Sequence, residues 1–198
     1  AASDVYKRQV HALKGSELFA YKREAQMVFQ DPYASLDPRM TVSDIIAEGM
    51  DVHHLYQNKA ERAEKIYGLL EKVGLNKEHA NRFIHEFSGG QRQRMAIARA
   101  VVKKPEIYLF DDSFSALDVK TDKTLRMRLR ESMGDSTMLI VAQRVGSILD
   151  ADRILVMEDG QIVGRGKHRE LLHTCPLYRE IAELQLGEEE VKHELECV

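Results

Sequence analysis

Apolar side chains recur along this chain with two different periods, and the way those periods alternate predicts its architecture. Ile66, Leu69, Leu70 and Val73 follow one another at helical spacing, which predicts a helix from about Ala60 to Val73 with Gly74 as its stop. Glu61, Arg62, Glu64 and Lys65 take its solvated side. An earlier helix carries Ile45, Ile46 and Met50, with Thr41 or Ser43 as its cap. A third opens at Ser88-Gly89-Gly90-Gln91 and carries Met95, Ile97, Ala98 and Val102. It ends at Lys103-Lys104-Pro105, where the cations suit a helix C-terminus. A fourth runs from about Val119 to Met133.

Short apolar runs lie between these helices. Ala25 to Gln30 predicts a buried strand that stops at Asp31-Pro32. Ile107-Tyr108-Leu109-Phe110 predicts a buried parallel strand with Asp111-Asp112 at its C-terminal end, and Met138 to Val141 predicts another strand. Arg153 to Met157 and Gln161 to Val163 flank Glu158-Asp159-Gly160, a hairpin signal. His168 to Leu186 reads as helical, and Gly187-Glu188-Glu189-Glu190 opens a charged, fraying end. Val10 to Arg23 is mixed and polar, with a turn at Gly15. Strands alternating with helices predict the α/β class.

Composition narrows the function classes. The 198 residues are 43% hydrophobic and 31% charged, enough for a real core in one large domain or two small ones. Lys+Arg 29 against Asp+Glu 32 leaves a net charge of −3, which argues against a disordered chain and against nucleic acid as partner. No apolar run approaches the roughly 20 residues of a membrane span. Cys175 and Cys197 are too few for a disulfide framework or a zinc site. With no secretory apolar region, a reducing cytoplasm is the expected setting. Asp4-Val5-Tyr6-Lys7-Arg8-Gln9 resembles the in-frame translation of a transposon adapter, so residues 1–9 are expected to be an adapter-derived or disordered tail outside the fold.

Ser88-Gly89-Gly90-Gln91 is the sharpest chemical signal. A serine cap and two glycines leave backbone N–H groups unobstructed at a helix start, where the dipole is positive, and that suits a phosphate. An aspartate at the C-terminal end of a buried parallel strand, here Asp111, sits where α/β sheets bind ligands and suits Mg²⁺. Ser115-Ala116-Leu117-Asp118 follows as a short loop before the next helix.

Taken together these residues resemble the ATP-binding cassette (ABC) ATPases over nearly everything from Val10 to Leu186. Phe87-Ser88-Gly89-Gly90-Gln91 resembles the family signature, Ile107 to Asp111 its Walker B strand, Ser115 to Asp118 its D-loop, and Gln30 the glutamine of its Q-loop. The resemblance implies a P-loop NTPase-like α/β core with an inserted helical subdomain at about 41–102, within a partial ATPase domain over 10–186 and a charged tail over 187–198. It implies ATP and Mg²⁺ as cofactors, with Asp111 and Gln30 at the metal and Asp112 and Gln143 in the catalytic positions. Ser88, Gly89, Gly90, Gln91 and Asp118 would contact nucleotide bound on a facing subunit. The implied partners are a second ATPase domain, closed head to tail, and a membrane permease, at the cytoplasmic face of the cell membrane. The implied function is coupling MgATP hydrolysis to transport. A soluble ABC ATPase that does not transport, or a non-catalytic composite of two ABC genes, are the alternatives.

Three departures qualify the resemblance. The chain contains no Gly-x-x-x-x-Gly-Lys-Ser/Thr; Gly166-Lys167 lacks the spacing. The expectation is therefore a fragment without the P-loop and its strand, inactive alone, in which Phe110 and Leu139 lose apolar neighbours. The family's glutamate after the Walker B aspartate is Asp112, one methylene shorter. The switch-loop histidine is Gln143, which can hydrogen-bond a phosphate but carries no proton charge at neutral pH. The last two resemble the degenerate half of heterodimeric exporters. The two parts of the chain also differ: Gln26 to Thr41 and Asn81 to Phe87 resemble oligopeptide/dipeptide importer ATPases, whereas Lys103 to Asp118 and Arg153 to Leu172 resemble multidrug-type exporters.

Among lesser features, His53-His54, His79 and His85 lack ligand spacing and are expected on the surface. Met27, Met40, Met50 and Met95 are expected in core or subdomain packing and not in a binding stripe. Arg92 and Arg94 are expected either at nucleotide or partner or on a solvated face.

Overall fold

The computed structural model describes residues 10–196; residues 1–9, where the adapter-like stretch falls, and Cys197 lie outside them. The chain divides into two compact units, one reaching Val141 and the other starting at Ala142.

In the first unit, β1 (Ala25–Val28), β2 (Ile107–Asp111) and β3 (Thr137–Val141) form a parallel sheet in the order β1-β2-β3. The register places Val28 beside Phe110 and Phe110 beside Ile140. α1 (Gly15–Glu24) precedes β1, and α2 (Pro32–Ser35) follows it. α1 is a difference from the sequence reading, which expects only a turn. It buries no residue and so leaves no apolar stripe to read.

α3 (Val42–Val52), α4 (Lys59–Lys72) and α5 (Gly89–Val101) then make a helical layer whose buried residues include Ile45, Ile46, Met50, Ile66, Leu70, Met95 and Ile97. Thr41 caps α3 and Asn58 caps α4, each accepting a hydrogen bond from a first-turn amide. Gly74, at φ +69, closes α4 in the left-handed conformation that glycine adopts without strain. α6 (Val119–Met133) buries Leu125, Leu129 and Met133 in the same core.

The sheet is one-sided. Tyr108 and Phe110 are 1% exposed, so Phe110 keeps its cover, contrary to expectation. The helical layer supplies that cover. On the opposite face Met27, Ile107, Leu139 and Val141 are exposed, so Met27 is not a core residue.

The second unit is built on a hairpin, β4 (Ile154–Glu158) and β5 (Gln161–Gly166), turned by Asp159 and Gly160, both at positive φ. α7 (His168–Thr174) and α8 (Pro176–Leu186) replace the single expected helix, because Pro176 has no amide hydrogen to continue the α7 ladder and instead starts α8. α9 (Glu188–Glu196) is helical where fraying was expected, since Val191, 1% exposed, buries itself in this unit's core. His168 ties the three helices together: Nδ1 meets the Tyr178 hydroxyl at 2.8 Å and Nε2 the Glu194 carboxylate at 2.6 Å. Burial, with Glu194 adding to it, pushes the Tyr178 hydroxyl up to about 12. No helix among the described residues is long and apolar enough to cross a membrane.

Arg62 of α4 pairs with two carboxylates of α3, Asp44 at 3.6 Å and, more closely, Asp51. Arg62 Nε and Nη2 each donate to an Asp51 carboxylate oxygen at 2.9 Å, and this holds Asp51 below the usual carboxylate range. Because the folded-state pKa is depressed, the stability is present above the unfolded value and disappears as pH falls through the folded one. Asp51 is 40% exposed, so solvent limits the pair to about 1 kcal/mol or less. Arg62→Met is therefore expected to lower the urea midpoint at pH 7 and to converge on the parent as pH falls below the depressed folded-state pKa of Asp51. A gap that stays constant with pH would reject the pair as its cause.

Candidate functional site

The C-terminal ends of the parallel strands converge on Asp111 and Asp112. Asp111 ends β2 opposite Val141, and the Asp112 amide donates to the Val141 carbonyl at 2.9 Å. Asp112 stands at φ +42, a conformation that aspartate tolerates better than most residues, and its side chain is buried. Gln30, two residues beyond β1, donates from Nε2 to Asp112 Oδ2 at 3.2 Å. Two predicted site residues separated by 82 positions thus meet directly.

Two buried side chains that the sequence reading missed hold this junction. The Ser113 hydroxyl, 1% exposed, donates to the Val28 carbonyl at 2.9 Å. Gln93, fully buried on α5, donates from Nε2 to the Phe29 carbonyl at 3.3 Å, while its Oε1 has no hydrogen-bond partner. Gln93 therefore links the helix that begins at Ser88 to the backbone beside Gln30. Its place four residues inside an otherwise amphipathic helix is the only sequence signal, since a buried polar residue must find a partner.

Ser88 is the N-cap of α5. Its hydroxyl accepts from the Gln91 amide at 3.4 Å and its own amide donates to Gln91 Oε1 at 3.0 Å, a reciprocal capping box. Ser88 and Gly89 are exposed, and no acidic residue occupies the first turn. A Cβ built on Gly89 meets nothing within 4 Å, so the helix start is open on that side. At Gly90 a Cβ would come within 3.3 Å of the Ala116 carbonyl, so glycine lets α5 approach the loop that ends at Asp118. Asp118 is itself a cap: its carboxylate accepts from the Thr121 amide at 2.9 Å, and bonds to Thr121 lower its pKa.

Gln143 belongs to the second unit, where its carbonyl accepts from Gln185 Nε2 at 2.9 Å. Arg92 and Arg94 do not lie on a solvated face. Arg92 stacks over the Tyr33 ring at 3.9 Å and donates to the carbonyls of Ile84 and His85; Arg94 donates to those of Val73 and Gly74. Their side chains close the helical layer because backbone carbonyls at the ends of short helices need donors.

These residues fit a magnesium–nucleotide group. Open first-turn amides suit a phosphate, and the adjacent carboxylates of Asp111 and Asp112, with the Gln30 amide, suit a hard cation that keeps water and phosphate ligands. Among the described residues no group of three or more His, Cys, Asp or Glu forms an all-protein cage.

Known proteins resemble this chain in sequence and in fold. The profile of the family described as ABC transporter matches residues 4–115. Oligopeptide transport ATP-binding protein OppF of Bacillus subtilis is 49% identical over 158 residues, covering 78% of this chain and 52% of that protein. Dipeptide transport ATP-binding protein DppF of Lactococcus lactis is 46% identical over 174 residues, covering 86% and 55%. The chain thus spans about half the length of the curated relatives it matches. Among solved structures, a bacterial Atm1-family ABC exporter with ATP bound superposes with a TM-score of 0.70 at 30% identity, covering 86% of this chain and 30% of that one. A dimeric ATP-binding cassette in a post-hydrolysis state with ADP and Pi gives 0.70 at 28% identity, covering 79% and 68%.

Proposed function

This chain belongs to the ABC transporter family, and from that premise we propose that it is part of the ATP-binding subunit of an oligopeptide or dipeptide importer, where MgATP binding and hydrolysis drive transport. The observation that carries this reading is the hydrogen bond from Gln30 to Asp112, which joins the loop after β1 to the carboxylates ending β2. The importer identity is supported by relatives 46–49% identical that are named for oligopeptide and dipeptide transport.

Each residue then has a part. Asp111 and Gln30 would hold Mg²⁺, which when bound would neutralise phosphate charge. Asp112 would orient or deprotonate water from a short side chain pinned by Gln30, which makes hydrolysis at this chain's own site weak. Gln143, in the second unit, would hydrogen-bond a phosphate without carrying charge. The α5 start, from Ser88 to Gln91, covers the terminal phosphate of nucleotide held by a second ATP-binding domain facing it head to tail, and Asp118 meets the same partner. The remaining partner is a membrane permease, with the chain at the cytoplasmic face of the cell membrane.

Proteoliposomes holding the assembled transporter that carries this sequence test the proposal. ATP inside the lumen-equivalent of the cytoplasm should drive accumulation of a labelled oligopeptide, and a non-hydrolysable ATP analogue should not. Hydrolysis that proceeds with no peptide movement would reject the transport role.

A further inference from the structure

A cleft of about 240 Å³ lies in the first unit, between the end of α4, α5 and the first turns of α6. Its lining includes four cationic side chains, Lys72, Arg94, Lys120 and Arg128, and the hydroxyl-bearing Thr121 and Thr124; it includes no carboxylate. Arg94 is at its inner wall, held by the carbonyls of Val73 at 3.1 Å and Gly74 at 2.7 Å. Gly74 makes that position possible, since a Cβ there would stand 3.1 Å from Arg94 Nη1. Arg128 is anchored by the Glu71 carbonyl at 3.1 Å, which leaves the rest of its guanidinium available. Lys72 and Lys120 are exposed.

No carboxylate among the described residues forms an ion pair with any of the four. The nearest acidic influence on Arg94 is Asp118, whose carboxylate already accepts the Thr121 amide. Burial pulls the Arg94 guanidinium below its ordinary range, with Asp118 opposing, as expected of a cation partly removed from water without a full counter-charge. Elsewhere the chain balances its charges, with a net of −3, so four unmatched cations in one cleft are a local feature and not part of a basic surface. An extended nucleic-acid track would need such a surface. The cleft holds the volume of about eight waters at ~30 Å³ each, enough for two linked phosphate groups.

We propose that this cleft is an anion site, separate from the start of α5, for a small soluble compound bearing two or more phosphate groups. Guanidinium groups at the wall and rim offer paired donors to phosphate oxygens, and the two lysines add point charges that a single phosphate could not use fully.

Titration of this chain with inorganic pyrophosphate, followed by amide NMR, tests the site. Saturable binding is expected, with the largest shifts at Gly74, Thr121 and Thr124, and affinity should fall as salt rises. The double variant Lys120→Gln/Arg128→Gln should bind roughly tenfold more weakly with its dispersed spectrum intact, since both side chains are exposed. Lys72→Gln alone should weaken binding less, and Ser88→Ala should leave it unchanged. Shifts centred on Gly89 to Gln91, a response that never saturates, or an affinity that survives the double variant would each overturn the proposal. So would association with phosphatidylglycerol vesicles by a chain that does not bind pyrophosphate.

Discussion

Arginine at position 88 should nearly abolish ATP-driven turnover of the assembled transporter that carries this sequence, by about 10²-fold or more, the scale on which losing one positioned donor to a developing phosphate charge acts. Ser88 is exposed at the start of α5, beside an open Gly89, and its small hydroxyl is occupied in the capping box with Gln91. An arginine side chain would fill the space in front of those amides. Loss of the cap costs about 1 kcal/mol, too little to unfold the unit, so the fall would report on the site. Asp112→Asn is the informative companion. Asparagine tolerates the same positive φ and keeps an oxygen for Gln30, so structure is preserved and only the charge is lost. If hydrolysis at this chain's own site is already weak, that change should cost less than about tenfold, against the 10²–10⁴-fold expected of a competent base. Turnover that survives Ser88→Arg but stops with Asp112→Asn would reverse the assignment of roles.

Phe110→Ala should destabilise the first unit by about 3–5 kcal/mol, whereas Leu139→Ala, on the neighbouring strand, should cost within about 0.5 kcal/mol. The contrast follows from the faces of one sheet. Phe110 is 1% exposed, with Tyr108 stacked 6.0 Å away and Phe114 at 5.2 Å; Leu139 is 55% exposed. Denaturant unfolding of the two variants reads the difference directly. Equal midpoints would mean that the helical layer does not cover the sheet as described.

Much of this architecture is legible in apolar spacing. The stripe Ile66, Leu69, Leu70 places α4 to within a residue or two, and the two-residue turn at Asp159-Gly160 places the hairpin. The elements that escape notice lack that stripe: α1 buries nothing, and α9 depends on the single buried residue Val191. At the site, motif resemblance names Gln30, Ser88, Asp111 and Asp112 individually but not their connections. The bond between Gln30 and Asp112 needs parallel pairing of distant strands, and Gln93 looks like one more polar residue on a helix until Phe29 is placed against it. Arg92 and Arg94 mislead for a related reason. A charge two residues from another on a helix can face a different neighbour, and here each meets carbonyls from a different connecting turn.

The pairing of β1 with β2 also sets an order of assembly. Ala25 pairs with Ile107, so 107 − 25 = 82 positions must be looped before β1 and β2 meet. The entropy of closing that loop is spent before the β1–β2 pairing returns it, whereas α3, α4 and α5 meet across shorter connections. The helices between the strands should therefore collapse first and act as the template on which β1 and β2 find their register, with β3, only 26 positions beyond the end of β2 at Asp111 when measured to Thr137, joining from the other side. Residues such as Ile97 and Met95 would then govern the folding rate, while the sheet residues beside Asp111 and Asp112 would mainly govern how fast the native state is lost.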